Sequence, residues 1–284
     1  MITETALITG ASSGIGLHLT HEFARRGHPV VITAPVESEL QRIRETFKTN
    51  YNTTARAIAK DLEQPNAAQE IFDELESASV EVDILVNNAG HGFHGNWWEL
   101  PIEKDISMLR LNVEAVLRLT KLFLRPMLRR NRDRILNTTS VAGFEPGPLL
   151  ATYFATKAFV LSWSEALAAE LDKTAISVTA LCPGVTDTDF FEKADAENIR
   201  GRQSSNVMSP QEVAKVGYEA MIGEELFVVP GGMNKAMVAA RRIMSVGLQA
   251  KLNEKINEDV PSKNRKHYRD EKEEAVSPWR RLSC

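Results

Sequence analysis

Residues 5–16 read "TALITGASSGIG". "TALIT" (5–9) is a short apolar, β-branched run. Thr9, Gly10, Gly14, Ile15 and Gly16 follow it, and a helical pattern opens at residue 14. Glycines at these places allow a tight turn and let backbone amides approach a ligand at the start of the helix. There the free N–H groups and the helix dipole favour negative charge. Ser12 and Ser13 add hydroxyl donors. A glycine triplet alone is equally at home in a plain turn. One that ends a first strand and opens a helix has the context of a pyrophosphate-binding turn.

The same alternation continues outward along the chain. "PVVITA" (29–34), "ARAIA" (55–59), "VDILV" (82–86), "RILNT" (134–138), "AISVTAL" (175–181) and "LFVVP" (226–230) read as further strands. Most are continuous apolar runs, the pattern of strands covered by helices on both faces. Helical patterns fill 14–26, 37–48, 66–78, 103–129, 152–172 and 210–222. This predicts an α/β fold: a doubly wound, mainly parallel seven-stranded sheet with helices on both faces. Residues 1–232 read as one domain, 233–260 as an amphipathic helical extension, and 261–284 as a charged, flexible tail.

Other short motifs follow in order: "KDL" (60–62), "NNAG" (87–90), Asn112, Ser140, "YFATK" (153–157) and "PGVTDT" (183–188). With the TGxxxGIG turn, this ordered set resembles the short-chain dehydrogenase/reductase family over about residues 5 to 230. "ILNTTSVAGFEPGP" and "ALCPGVTDTDFF" are similar to its DltE-like bacterial reductases. The resemblance implies a Rossmann-type fold, a nicotinamide dinucleotide, and hydride transfer between that coenzyme and a carbonyl or secondary alcohol. By position it implies that Gly10, Ser12, Ser13, Gly14, Ile15 and Gly16 hold the pyrophosphate. It gives Asp61 and Leu62 to the adenine, Asn88, Ala89 and Gly90 to the adenosine side, and Pro183, Gly184, Val185 and Thr188 to the carboxamide. Asn87 and Asn88 also suit a strand-end turn, and Pro183–Gly184 an ordinary one.

Tyr153 and Lys157 lie four residues apart, so a helix places them on one face. A phenol ionises near ~10 and an amine near ~10.4 in water, and a neighbouring ammonium favours the phenolate. The resemblance makes Tyr153 the general acid/base and Lys157 its partner, bonded also to the nicotinamide ribose. It makes Ser140 the residue that holds the substrate oxygen, and Asn112 a relay member at a helical irregularity. Tyr153 and Ser140 are the expected substrate contacts. Taken singly, each has a plain explanation: a solvated helix pair, a turn cap, a satisfied buried amide.

The coenzyme's ribose is less legible. After "PVVITA" the chain reads Ala34-Pro35-Val36-Glu37, with neither the acid that selects NAD nor the arginine that selects NADP. Thr33, Ser38 and Arg42 can serve a phosphate, while Glu37 argues against one. The reading leans to NADP(H) over NAD(H) on the resemblance. Phe93, Trp97, Trp98, Phe144, Leu149, Leu150, Phe190 and Phe191 border the expected cleft and suggest a lipophilic ketone, aldehyde or alcohol, though some of them belong to the core. His91 and His94 read as loop residues near the substrate, and the chemistry requires no metal.

The 284 residues are 43% apolar and 25% charged. Residues 233–284 hold 12 Lys+Arg against 7 Asp+Glu, leaving 22 against 31 elsewhere. An acidic body argues against nucleic acid. "MITETALITG" lacks a secretory n-region, and Cys182 and Cys284 form no metal or redox motif, so a cytoplasmic location is expected. In the extension, Met233, Met237, Ala240, Met244, Leu248 and Leu252 form an apolar stripe, with Lys235, Arg241, Arg242 and Lys251 mostly off it. Docking on the body or a second subunit is expected, with weak peripheral membrane contact as the alternative. The resemblance gives subunit contacts to helices 103–129 and 152–172 and so implies a homodimer or homotetramer; Phe159 and Trp163 suit such an interface or burial within the subunit. The rival functions are a nucleotide sensor or scaffold without turnover, and a sugar epimerase or dehydratase. The first predicts a broken catalytic set, the second a TGxxGxxG turn.

Overall fold

The structure is a computed structural model that describes residues 4–51, 53–241 and 243–261. Its strands are β1 Ala6–Thr9, β2 Val30–Ala34, β3 Ala55–Ala59, β4 Ile84–Asn87, β5 Asp133–Thr138, β6 Ile176–Leu181 and β7 Phe227–Val228. They form one sheet in the order β3-β2-β1-β4-β5-β6-β7. Every neighbouring pair is parallel, and Ala6 stands opposite both Val30 and Ile84. The chain winds from β1 out to β3 and then returns to β1's other side. The cleft of such a sheet lies at that reversal, beyond the carboxyl ends of the strands.

The helices are α1 Gly14–Arg25, α2 Glu37–Asn50, α3 Ala67–Ser77, α4 Ile102–Leu109, α5 Ala115–Arg130, α6 Ala151–Glu170, α7 Phe190–Lys193, α8 Pro210–Ile222, α9 Gly232–Arg241 and α10 Val246–Asn257. Strand β1 explains why the apolar runs are continuous. Ala6 and Ile8 join one core with Phe23 of α1 and Val213 and Met221 of α8. Leu7, facing the other way, joins a second core with Ile71 of α3 and Leu119 and Phe123 of α5. Both faces of the strand are buried, and each large side chain so placed contributes about 1.5–3 kcal/mol.

The helix expected over 103–129 carries a π turn, Arg110–Glu114, centred on Asn112, the helical irregularity expected there. Two expectations need correcting. The last strand keeps only two of its five expected residues. The extension is two helices, α9 and α10, and its apolar stripe is not the face that packs. Met233 (61%), Leu248 (48%) and Leu252 (39%) are exposed, whereas Asn234, Arg241, Gln249, Asn253 and Asn257 are buried. Arg242 of the basic face and residues 262–284 of the tail lie outside the described residues. Among the described residues no helix is long and apolar enough to cross a membrane.

Candidate active site

One cavity of about 730 Å³ runs along the carboxyl ends of β1, β4, β5 and β6. Its wall includes Gly10, Ser12, Ser13, Gly14, Ile15, Gly16, Asp61, Leu62, Asn88, Ala89, Gly90, Ser140, Tyr153, Lys157, Pro183, Gly184, Val185 and Thr188. The sequence-predicted residues thus converge on one space, with Asn112 as the exception.

The glycine turn is shaped for close approach. Gly10 (φ +64°) and Gly14 (φ +53°) sit in the left-handed region, which glycine enters at little cost. A Cβ on Gly16 would fall 2.1 Å from the Gly10 carbonyl oxygen and 2.4 Å from Asn88 Nδ2. Ser13 stands at the N-cap of α1 without a side-chain capping bond, so the first amides keep their capacity for an anion. Thr9 Oγ1 accepts from the amides of Asn88 (2.9 Å) and Ala89 (3.0 Å), tying β4's end to β1. Asn88 Nδ2 donates to the Thr9 carbonyl at 3.1 Å, and its Oδ1 accepts from Thr138 Oγ1 at 3.2 Å. Asn88 is therefore a staple across three strand ends as well as a wall residue. Asn87 is buried, donating to Thr120 Oγ1 and Asn137 Oδ1. These features fit a dinucleotide: an uncapped helix start, and a turn that leaves no room for side chains.

At β5's end, Ser140 Oγ accepts from the Ala142 amide at 3.1 Å and lies 3.3 Å from the Pro183 carbonyl. Burial pushes the Tyr153 phenol's pKa up to about 12, with the neighbouring Ser140 side chain pulling weakly the other way. One turn along α6, Lys157 is buried, donates from Nζ to the Thr138 carbonyl at 3.0 Å, and lies 5.7 Å from the Tyr153 ring centre. Burial pushes its ammonium down to about 8. In the chain alone, loss of hydration is the larger influence on the phenol, which is held protonated.

Asn112, 1% exposed, does not reach the cavity wall. Its Oδ1 accepts from the His91 amide at 3.0 Å, and its Nδ2 donates to the His91 carbonyl and to Thr156 Oγ1. A Cβ on Gly90 would lie 3.1 Å from Asn112 Oδ1 and 3.3 Å from Lys157 Nζ, so both groups crowd behind that glycine. The π turn brings Asn112 there; such irregularities often accompany functional sites.

Toward the ribose end, Thr33, Ala34, Pro35 and Lys60 line the cavity, but Glu37, Ser38 and Arg42 do not. Thr33 Oγ1 is buried without a partner. On the substrate side, Leu150, Phe190 and Phe191 line the wall, and Phe93, Trp97, Trp98, Phe144 and Leu149 do not; Trp97 and Trp98 face outward. His91 lines the cavity, while His94 Nε2 bonds the Asn257 carbonyl at 2.7 Å. The sequence reading missed Glu145, Arg241, Asn253 and Asn257, which complete this wall. It also missed Lys193, whose Nζ lies 3.5 Å from Ser13 Oγ. The polar spacing at 249, 253 and 257 was the available signal, overshadowed by the apolar stripe.

A short chain dehydrogenase family model matches residues 4–199. The chain is 31% identical over 229 residues to 1-deoxy-11-beta-hydroxypentalenate dehydrogenase of Streptomyces exfoliatus, covering 80% of this chain and 82% of that one. It is 32% identical over 245 residues to very-long-chain 3-oxoacyl-CoA reductase of Rattus norvegicus, covering 82% and 75%. A solved short-chain dehydrogenase from Sphingobium yanoikuyae in complex with NADPH matches with a TM-score of 0.76 at 28% identity, covering 94% of this chain and 98% of that one. The chain belongs to the short-chain dehydrogenase family, and is an oxidoreductase of CH–OH and C=O groups that uses a nicotinamide coenzyme.

Proposed function

We propose that the protein is an NADPH-dependent reductase of a lipophilic ketone or aldehyde, with Tyr153 as its proton donor. The observation that carries this reading is the convergence of Ser140, Tyr153, Lys157 and the glycine turn on one cavity wall. Ser140 positions the carbonyl oxygen as negative charge develops on it. Tyr153, protonated at neutral pH, gives its hydroxyl proton to that oxygen. Lys157, held by the Thr138 carbonyl, stabilises the phenolate left behind, and Asn112 keeps the His91–Gly90 backbone in place beside it. When bound, the reduced nicotinamide supplies the hydride to the carbonyl carbon.

Leu150, Phe154, Phe190 and Phe191 support an apolar substrate body. The rat relative's name, a very-long-chain 3-oxoacyl-CoA reductase, describes a ketone reduction. NADP(H) is favoured by the absence of an acid at Ala34–Pro35, which line the cavity. The Sphingobium structure is a complex with NADPH. Fluorescence titration with NADPH and NADH, followed by a carbonyl screen, tests the assignment; tighter NADH binding or an absence of carbonyl-dependent NADPH oxidation overturns it.

The same reading takes residues 1–232 as the catalytic unit, 233–260 as an extension of it, and the cytoplasm as its location. A homodimer or homotetramer is proposed through α4, α5 and α6, where Ile102, Ile106, Leu109 and Phe159 are exposed. Weak peripheral membrane contact is proposed for the outward strip Ile243, Val246, Leu248 and Leu252. Sedimentation with and without anionic vesicles separates the two: a monomer that ignores vesicles denies both.

A further inference from the structure

The buried face of α10 is a row of amides at one-turn intervals: Gln249, Asn253 and Asn257 are 8%, 2% and 4% exposed. Gln249 Nε2 donates to the Arg241 and Met244 carbonyls at 2.8 and 2.9 Å, joining α10 to α9. Asn253 Nδ2 donates to the Pro146 carbonyl and Asn257 Nδ2 to the Pro148 carbonyl, both at 2.8 Å. Those prolines belong to the loop between Ser140 and Tyr153. A carbonyl only accepts, so each asparagine must turn its NH₂ to the loop, which leaves Oδ1 and the second N–H of each amide uncommitted. Neither Oδ1 has a hydrogen-bond partner among the described residues, and both residues line the cavity.

Glu145 adds a third acceptor. Its side chain is 3% exposed and pairs through Oε1 with Arg241, while Oε2 is buried with no partner. Glu145 and Arg241 both line the cavity, and the pairing neutralises the one guanidinium in this group. This part of the cavity wall therefore presents amide and carboxylate groups with unused hydrogen-bonding capacity. The Glu145 oxygen is buried and unpaired, which is costly, and the two asparagine amides keep unused donors and acceptors on the wall, so a hydroxyl group, which both donates and accepts, suits them. An anionic substituent placed here would meet the oxygens of the Glu145 carboxylate, which repel it.

Building on the reductase reading above, we infer that Glu145, Asn253 and Asn257 form a specificity subsite for a hydroxyl group on a neutral, lipophilic carbonyl substrate. The substrate class is a hydroxylated ketone or aldehyde, and a carboxylate at the same place is disfavoured.

The test is a series of decalones carrying a remote hydroxyl, methoxy, hydrogen or carboxylate substituent. Calorimetry on the full chain with NADP⁺ reads binding, and NADPH oxidation reads kcat/KM. The hydroxyl member is expected to bind at least tenfold tighter than the methoxy and hydrogen members, with the carboxylate weakest. Asn257→Ala is expected to shrink the hydroxyl-to-methoxy ratio severalfold. A purely structural role on the Pro148 loop would weaken all members alike and leave the ratio unchanged. Glu145→Gln gives a second variant should the first fold poorly, with the same ratio as readout. Affinities that are flat, tightest for the carboxylate, or undetectable for every member overturn the subsite. Normal hydroxyl preference in binding with no turnover of any member would instead overturn the reductase reading.

Discussion

At the scale of single residues, the proposed chemistry depends on a protonated phenol in a buried wall. Tyr153→Phe removes the proposed proton donor and keeps the ring that packs against Phe190 at 5.1 Å between centres. A loss of about 10²–10⁴ in kcat is expected, with NADPH affinity within about threefold by fluorescence titration; near-normal turnover would remove Tyr153 from its role. Gly16→Ala acts on the other half. Its Cβ meets the Gly10 carbonyl and the Asn88 amide, both fixed groups, so the turn must open. NADPH binding should weaken more than tenfold, and an unchanged Kd would show that the turn does not hold the coenzyme. The local spacing of these residues made them readable in the sequence. The sign of the Tyr153 shift was not, because i,i+4 spacing reports a charge neighbour and says nothing of the water that both groups lose.

At the scale of elements, the cleft is held by bonds between strand ends and loops. Thr9 carries the junction of β1 and β4 by accepting from two amides. Thr9→Val keeps the shape and orphans both, at about 1–3 kcal/mol for each. A fall in Tm of several degrees is expected, and a Tm within a degree of wild type would mean other acceptors take over. The loop 144–150 bears Leu149 at φ +66°, a conformation that costs a non-glycine residue of order 1–3 kcal/mol. The Pro146 and Pro148 carbonyls just before it are held by α10, which keeps that turn in register ahead of Tyr153. Here the sequence misled. The stripe Met233, Leu248, Leu252 looked like the packing face, yet an amide row is what docks, because the surface it meets is a set of backbone carbonyls. A hydropathy pattern registers apolar partners and is blind to polar ones. The same blindness placed Trp97 and Trp98 at the cleft, when both are exposed.

At the scale of the whole molecule, the buried histidines of the α1–α2 face make the fold acid-sensitive. His21, 4% exposed, bonds Tyr51 and packs against Phe47. Burial pushes its pKa down to about 4, with His18 adding to the effect, and His18 is itself pushed down to about 4. The unfolded chain binds these protons near pH ~6.5 while the folded chain refuses them. Stability is therefore full above that pH and falls as pH drops toward 4. His21 alone can withdraw up to about 3 kcal/mol across this window. Thermal melts at pH 7, 6 and 5 should show a progressive fall that His21→Phe flattens; parallel curves would exclude it. The overall strand–helix order was legible because parallel strands buried on both faces must be apolar throughout. The β7 edge was not, since only Ala180 and Leu181 pair with it.

The sheet order has a further consequence for the growing chain. A ribosome releases β1, β2 and β3 first, and these three can pair as soon as they emerge. The other edge of β1 must wait for Ile84 to Val86, so a long stretch of translation passes with a fully apolar strand open on one side. Synthesis speed and chaperone supply over that interval, more than the finished protein's strength, should set how much of it reaches the cell in usable form.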